Sequence, residues 1–135
     1  MSYKIDEIEG IGPSYREHLK NAGVDSTDDL LNSCANPAGR KTMAEKTGLS
    51  EKQILGWTNM ADLMRVSGVG KQFAELLEAA GVDTIKELRN RNPENLAVAM
   101  QTVNEEKHLA KTAPTSSMVE KWIGQAKQTD PKITY

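Results

Sequence analysis

Residues 66–88 read Val-Ser-Gly-Val-Gly-Lys-Gln-Phe-Ala-Glu-Leu-Leu-Glu-Ala-Ala-Gly-Val-Asp-Thr-Ile-Lys-Glu-Leu. Gly68 and Gly70 flank one apolar residue, Val69, directly ahead of a helical pattern with Phe73 and Leu77 four residues apart. This order predicts a tight hairpin feeding a helix. Gly81 follows Ala80 as a residue able to stop that helix in the left-handed region, and Thr84 with Glu87 three residues on has the spacing of a capping box. The stretch therefore encodes hairpin, helix, turn and helix.

The same text occurs earlier in the chain at a constant offset of 58. Laid over one another without a gap, Gly10 meets Gly68, Gly12 meets Gly70, Leu19 meets Leu77, Gly23 meets Gly81, Val24 meets Val82 and Leu30 meets Leu88. Tyr15 and Phe73 share one aromatic slot. Self-similarity on this scale means two copies of one supersecondary unit, expected here over residues 1–64 and 65–135.

Outward from the repeat, Tyr3 to Ile8 is expected as a short first helix with Ile5 and Ile8 on its buried side. Pro13 suits the first helical position, where no amide is needed for the helical ladder. Ser26 and Asp29 match Thr84 and Glu87 as a capping pair. Asn36-Pro37 and Asn92-Pro93 break the chain at equivalent places, with helices expected from about Arg40 to Thr47 and from Glu94 to about Lys111. Trp57 and Trp122 lie in register with the apolar residues of two later helices, which predicts a place in the core. The second of these helices is expected from about Met118 to Gln128, and Thr129 to Tyr135 as a fraying polar tail. No Pro/Gly/Ser-rich linker divides the copies, so they are expected to pack together or to share a stiff helix. The fold class is all-α, two tandem repeats of about ten short helices.

Composition narrows the chemistry. The net charge is −2, from 17 basic and 19 acidic side chains, so no global positive field draws polyanions to the chain. The longest apolar run, Leu96 to Met100, is far short of the roughly 20 residues of a membrane span. With no apolar stretch near Met1 and a single cysteine, Cys34, the expected setting is the cytoplasm. One cysteine and two distant histidines, His18 and His108, give no ligand set for a metal, and no cofactor is expected. No nucleophile is paired with a base and an orienting group, so the chain is not expected to be an enzyme.

Gly-Ile-Gly-Pro-Ser at 10–14 and Gly-Val-Gly-Lys-Gln at 68–72, each followed by a helix, Gly-Val-Asp and a capped helix, resemble the helix-hairpin-helix motif of repair polymerases, repair nucleases and recombinase domains. Gly-Leu-Ser at 48–50 looks like the weaker partner hairpin of such SAM-like domains. Over the whole chain the resemblance is closest to an uncharacterised bacterial family of tandem helix-hairpin-helix proteins, domain of unknown function 4332. It implies phosphate binding by amides that converge at a hairpin, aided by the partial positive charge of a helix N-terminus. The matching groups are the backbones of Gly10, Ile11, Gly12 and Ser14, and of Gly68, Val69, Gly70 and Gln72, with Arg16, Lys20 and Lys71 as side-chain support. Such contact would be independent of base sequence and sensitive to salt.

The match also departs from the family. DNA-binding members often carry a lysine six residues after the second glycine, where this chain has His18 and Leu76, preceded by Glu17 and Glu75. Pro13 replaces Lys71 in the first copy, removing an amide and a charge. The implied role is weak binding to nucleic-acid backbone. Against it stands a protein-interaction or scaffold role, in which the glycines serve only backbone geometry; an exposed apolar groove using Met60, Met64 or Met118 is its expected mark.

Overall fold

In the computed structural model, which describes residues 2–135, polar caps and proline starts divide the chain into eight α-helices. They are α1 (Pro13–Asn21), α2 (Thr27–Cys34), α3 (Pro37–Thr47), α4 (Glu51–Leu63), α5 (Lys71–Ala79), α6 (Ile85–Arg89), α7 (Pro93–Lys107) and α8 (Ser116–Gln128). The expected first helix is only a 3-10 turn over Ile5–Glu7, which reduces the anticipated count. Tertiary pairing is the cause: Ile5 donates its amide to the Asp25 carbonyl, Thr27 donates to Tyr3, and Lys4 bridges Ser26, so the flanking backbone is held extended.

Most helix starts follow from local chemistry. Ser26, Asn36, Ser50, Thr84, Asn92 and Thr115 each accept a backbone N–H of their helix's first turn, satisfying a donor that has no partner within the helix. Asn36 and Asn92 place Pro37 and Pro93 at the first helical position, so α3 starts earlier than Arg40 and α7 just ahead of Glu94. α7 stops at Lys107, before the expected Lys111, because His108 turns into the left-handed region with φ 52°. The Asn104 side chain then accepts the Ala110 amide at 2.8 Å, fixing the turn that follows.

The sequence repeat carries one pattern of backbone bonds. Ile8 donates to Ile5 and Val66 to Leu63; Ile11 donates to Ile8 and Val69 to Val66. Past the helices, Val24 donates to Leu19 and Val82 to Leu77, both at 2.9 Å. The end of α4 thus stands where the 3-10 turn stands in the first copy, and α4 leads into the second glycine turn without a separate linker.

Helices α2, α3 and α4 pack on one another, and α8 packs on both α6 and α7; α5 lies against both α4 and α7. One continuous apolar core runs through all of them, including Leu19, Leu30, Ile54 and Leu63 from the first copy and Leu77, Ile85, Leu88 and Leu96 from the second. Trp57 and Trp122 are buried in it as expected, each tilted against an aromatic of its own copy: Tyr15 to Trp57 and Phe73 to Trp122 are both 5.2 Å between ring centroids. No helix is long and apolar enough to cross a membrane among the described residues.

The tail departs from expectation. Instead of fraying, residues 130–135 run back to the first copy, where Ile133 is buried and Thr134 donates its amide to the Ala35 carbonyl at 2.7 Å. A lone apolar residue in a polar segment was the signal; Ala35, which Thr134 meets between α2 and α3, lies about a hundred residues away in sequence.

Candidate functional site

Helices α1 and α5 begin differently from the other six. Their N-caps are Gly12 and Gly70, neither of which supplies a capping side chain. The cause is upstream: Gly10 and Gly68 turn the chain at φ 94° and 92°, and Ile11 and Val69 drop into the core between the glycines. A Cβ on Gly10 would lie 3.5 Å from Nε1 of Trp57, and one on Gly68 would lie 3.1 Å from Nε1 of Trp122. The left-handed backbone therefore favours glycine at the first position of each turn, and at Gly68 the indole edge adds to it.

This geometry sorts the residues expected to bind phosphate. The amides of Ile11 and Val69 already serve the turn through Ile8 and Val66, so they are not part of an anion cradle; this corrects their assignment as binding groups. Ladder bonds in these helices begin with Arg16 donating to Gly12 and Ala74 donating to Gly70. The first-turn amides of Ser14, Lys71 and Gln72 therefore precede the ladder, and Ser14, Lys71 and Gln72 are exposed. Pro13 leaves α1 with one such amide fewer than α5. Gly68, Gly70, Lys71 and Gln72, with Phe73 and Glu7, line an open hollow of about 430 Å³ at the second turn.

The flanking charges are mixed. Lys71 Nζ lies 3.5 Å from Glu9 Oε2, and Arg16 Nη1 lies 3.8 Å from Asp6 Oδ2. Lys20 is exposed on α1. Glu9 also bears on Glu75: burial, then the Glu9 charge, raise the Glu75 carboxyl above its ordinary range, while Lys71 opposes them. Glu78 is raised likewise by burial and by Asp83. The sequence put Glu7 and Glu9 beside the first turn; only packing brings them to the second. Among the described residues that line the hollow at the second turn, Lys71 is the cation and Glu7 the carboxylate.

Of the three methionines expected at an apolar groove, Met64 is buried in the core and Met118 is exposed, while Met60, itself 5% exposed, lines an open hollow of about 400 Å³ with Trp57, Gly56 and Glu78. His18 and His108 are exposed. Other titratable groups serve the fold. Burial pushes the Cys34 thiol up to about 11, against the opposing influence of Arg40 and a bond with Thr58. Burial likewise raises Asp62, although Arg65 Nη1 donates to its Oδ1 at 2.7 Å. Among the described residues no group of histidine, cysteine and carboxylates could hold a metal ion.

No curated protein and no solved structure matches the chain. A family described as Domain of unknown function (DUF4332) matches residues 9–129, from the first glycine turn to the end of α8, and the chain belongs to that family.

Proposed function

We propose that the chain is a small non-enzymatic module of two helix-hairpin-helix units that binds nucleic-acid backbone weakly and without regard to base sequence, chiefly through the turn at Gly68 to Gln72. One observation carries this reading: of the eight α-helices, the two that follow Gly-x-Gly turns lack a capping side chain, and their first-turn residues Ser14, Lys71 and Gln72, whose amides precede the helical ladder, are exposed. A phosphate oxygen accepts from such amides as a capping hydroxyl would, with the helix dipole adding attraction. The second turn is the better site because it keeps the Lys71 amide and charge, where the first has Pro13. Binding is weak because a phosphate must compete with Glu9 for Lys71 and approach Glu7.

A protein-interaction or scaffold role is the second reading. It is favoured by the pairing of Lys71 with Glu9 and Arg16 with Asp6, which leaves these cations less free for phosphate.

Gly70→Asp separates the two. Gly70 has φ −95° and nothing within 4 Å of a new Cβ, so an aspartate fits and caps α5 with its own carboxylate while repelling phosphate. Fluorescence anisotropy with single-stranded, duplex and junction DNA at low and moderate salt is expected to show salt-sensitive binding that falls about tenfold in Gly70→Asp and in Lys71→Glu. The melting temperature of Gly70→Asp should be equal or slightly higher, since an aspartate cap is better than glycine by a few tenths of a kcal/mol. A folded wild-type protein that binds no DNA at low salt would leave the protein-interaction reading in its place.

A further inference from the structure

An open trough runs along α4 where the two copies meet. Two adjoining hollows of about 400 and about 210 Å³ make it up, and they share Lys52, Gly56 and Glu78 as lining. Its floor is apolar, with Trp57 and Met60 in the larger hollow and half-buried Leu55 in the smaller. Three carboxylates line it, Glu9, Glu78 and Asp83, against one cation, Lys52. Glu9 is paired with Lys71, whereas neither Glu78 nor Asp83 forms an ion pair among the described residues. Burial and Asp83 together raise the Glu78 carboxyl above its ordinary range, the mark of a carboxylate short of a cation.

Gly56 keeps the middle of the trough open. Glycine inside a helix is less favourable than alanine, and no atom lies within 4 Å of a Cβ built at Gly56, so packing within the chain does not require it. Counted from Trp57 and Trp122, Gly56 is matched in the second copy by Lys121 and Gln53 by Met118. The second copy thus carries a projection where the first has a gap. Met118 and Lys121, three residues apart on one face of α8, are both exposed. Met118 is one of three large apolar side chains exposed among the described residues, with Val98 and Tyr135.

We propose that the trough docks a second copy of this chain, receiving Met118 and Lys121 of its neighbour's α8. Complementarity selects this occupant. The flexible thioether of Met118 covers the apolar floor at Trp57 and Met60, the Lys121 ammonium meets Glu78 and Asp83, and Glu120 beside it answers Lys52. A net charge of −2 leaves little repulsion between copies. Trough and projection are unlike faces, so the contact is heterologous, and because it is small the association is weak.

Sedimentation velocity of the full chain, up to about 1 mM and at low and moderate salt, tests this. The wild-type sedimentation coefficient is expected to rise with concentration, less steeply in salt. Gly56→Lys fills the trough with the second copy's own residue, and Lys121→Glu reverses the projection. Each is expected to raise the dissociation constant about tenfold, with wild-type circular dichroism and, for Gly56→Lys, an equal or higher melting temperature. An equimolar mixture of the two variants retains one native trough and one native projection, so it is expected to form dimers and nothing larger. Neither variant alters Lys71 or Gln72, so the outcome is independent of DNA binding at the second turn. A wild-type chain monomeric at about 1 mM would overturn the proposal and leave the trough to a basic segment of another protein. Self-association untouched by both substitutions, or a mixture that associates no better than either variant alone, would overturn it as well.

Discussion

The two glycine turns have the same backbone and different surroundings. At the second, Gln125 on α8 holds Ser67 from both sides, its Oε1 accepting the Ser67 amide at 2.9 Å and its Nε2 donating to the Ser67 carbonyl at 3.3 Å. Counting from the tryptophans, the residue matching Gln125 in the first copy is Met60, which cannot make either bond, and Ser67 is matched by Glu9. Glu9 instead reaches Lys71 of the other turn. Thus the second turn is clamped within its own copy, while the first lends a carboxylate across the seam. Repetition fixes the turn; divergence at three or four side chains decides which copy is the better anion site.

The largest expected effect probes the glycines. Alanine at Gly10 or Gly68 must adopt φ above 90°, which costs about 1–3 kcal/mol. Gly68→Ala should lie at the upper end and Gly10→Ala at the lower, because the new Cβ meets Trp122 Nε1 at 3.1 Å but Trp57 Nε1 only at ordinary contact distance, 3.5 Å. Urea unfolding curves give both values, and equal losses would show that the indoles do not distinguish the turns.

Removing the clamp comes next. Gln125→Met copies the first turn into the second and should cost about 1 kcal/mol, the net worth of the lost hydrogen bonds at an exposed site. The same curves check it, together with faster amide exchange at Ser67. No change in either would mean that the Gln125 bonds are idle and that the turns are equivalent in stability.

The smallest effect concerns charge at the seam. Burial and Glu9 hold the Glu75 carboxyl above its ordinary value of 4.5, so the fold disfavours its charged form. Its contribution to stability is therefore fully present below the unfolded pKa and lost as pH rises through the folded one. Glu75→Gln should stabilise the protein at pH 7 by no more than about 0.5 kcal/mol, since solvent screens the group, and the gain should vanish below about pH 4. Melting temperatures across pH 3 to 8 measure this. An equal gain from Glu17→Gln, at the matching place on α1, would break the link to Glu9.

The sequence was most legible where the physics is local. Glycine before a helix, Asn-Pro, Ser-x-x-Asp and Thr-x-x-Glu each act within four residues, and the helix starts at Ser26, Asn36, Thr84 and Asn92 follow from them. The aromatic slot and the two tryptophans were readable because their spacing recurs. Illegible were contacts between segments distant in the chain. Tyr3 to Thr27 pairing replaces a helix with a 3-10 turn, and the bonds of Thr134 with Ala35 and Arg40 hold the expected loose tail against the first copy. The candidate site divides in the same way, since the open amides of α1 and α5 could be anticipated, whereas the use of the Ile11 and Val69 amides within the turns and the approach of Glu9 to Lys71 could not.

By itself, then, the sequence determined an all-α repeat with two uncapped glycine-led helices, because turn geometry and capping are set by neighbours along the chain. Tertiary structure alone decided which charges meet those helices and what covers Arg40. Both depend on how α4 packs the copies against each other and where residues 130–135 return, and pairwise contacts at such separations leave no periodic trace in the sequence.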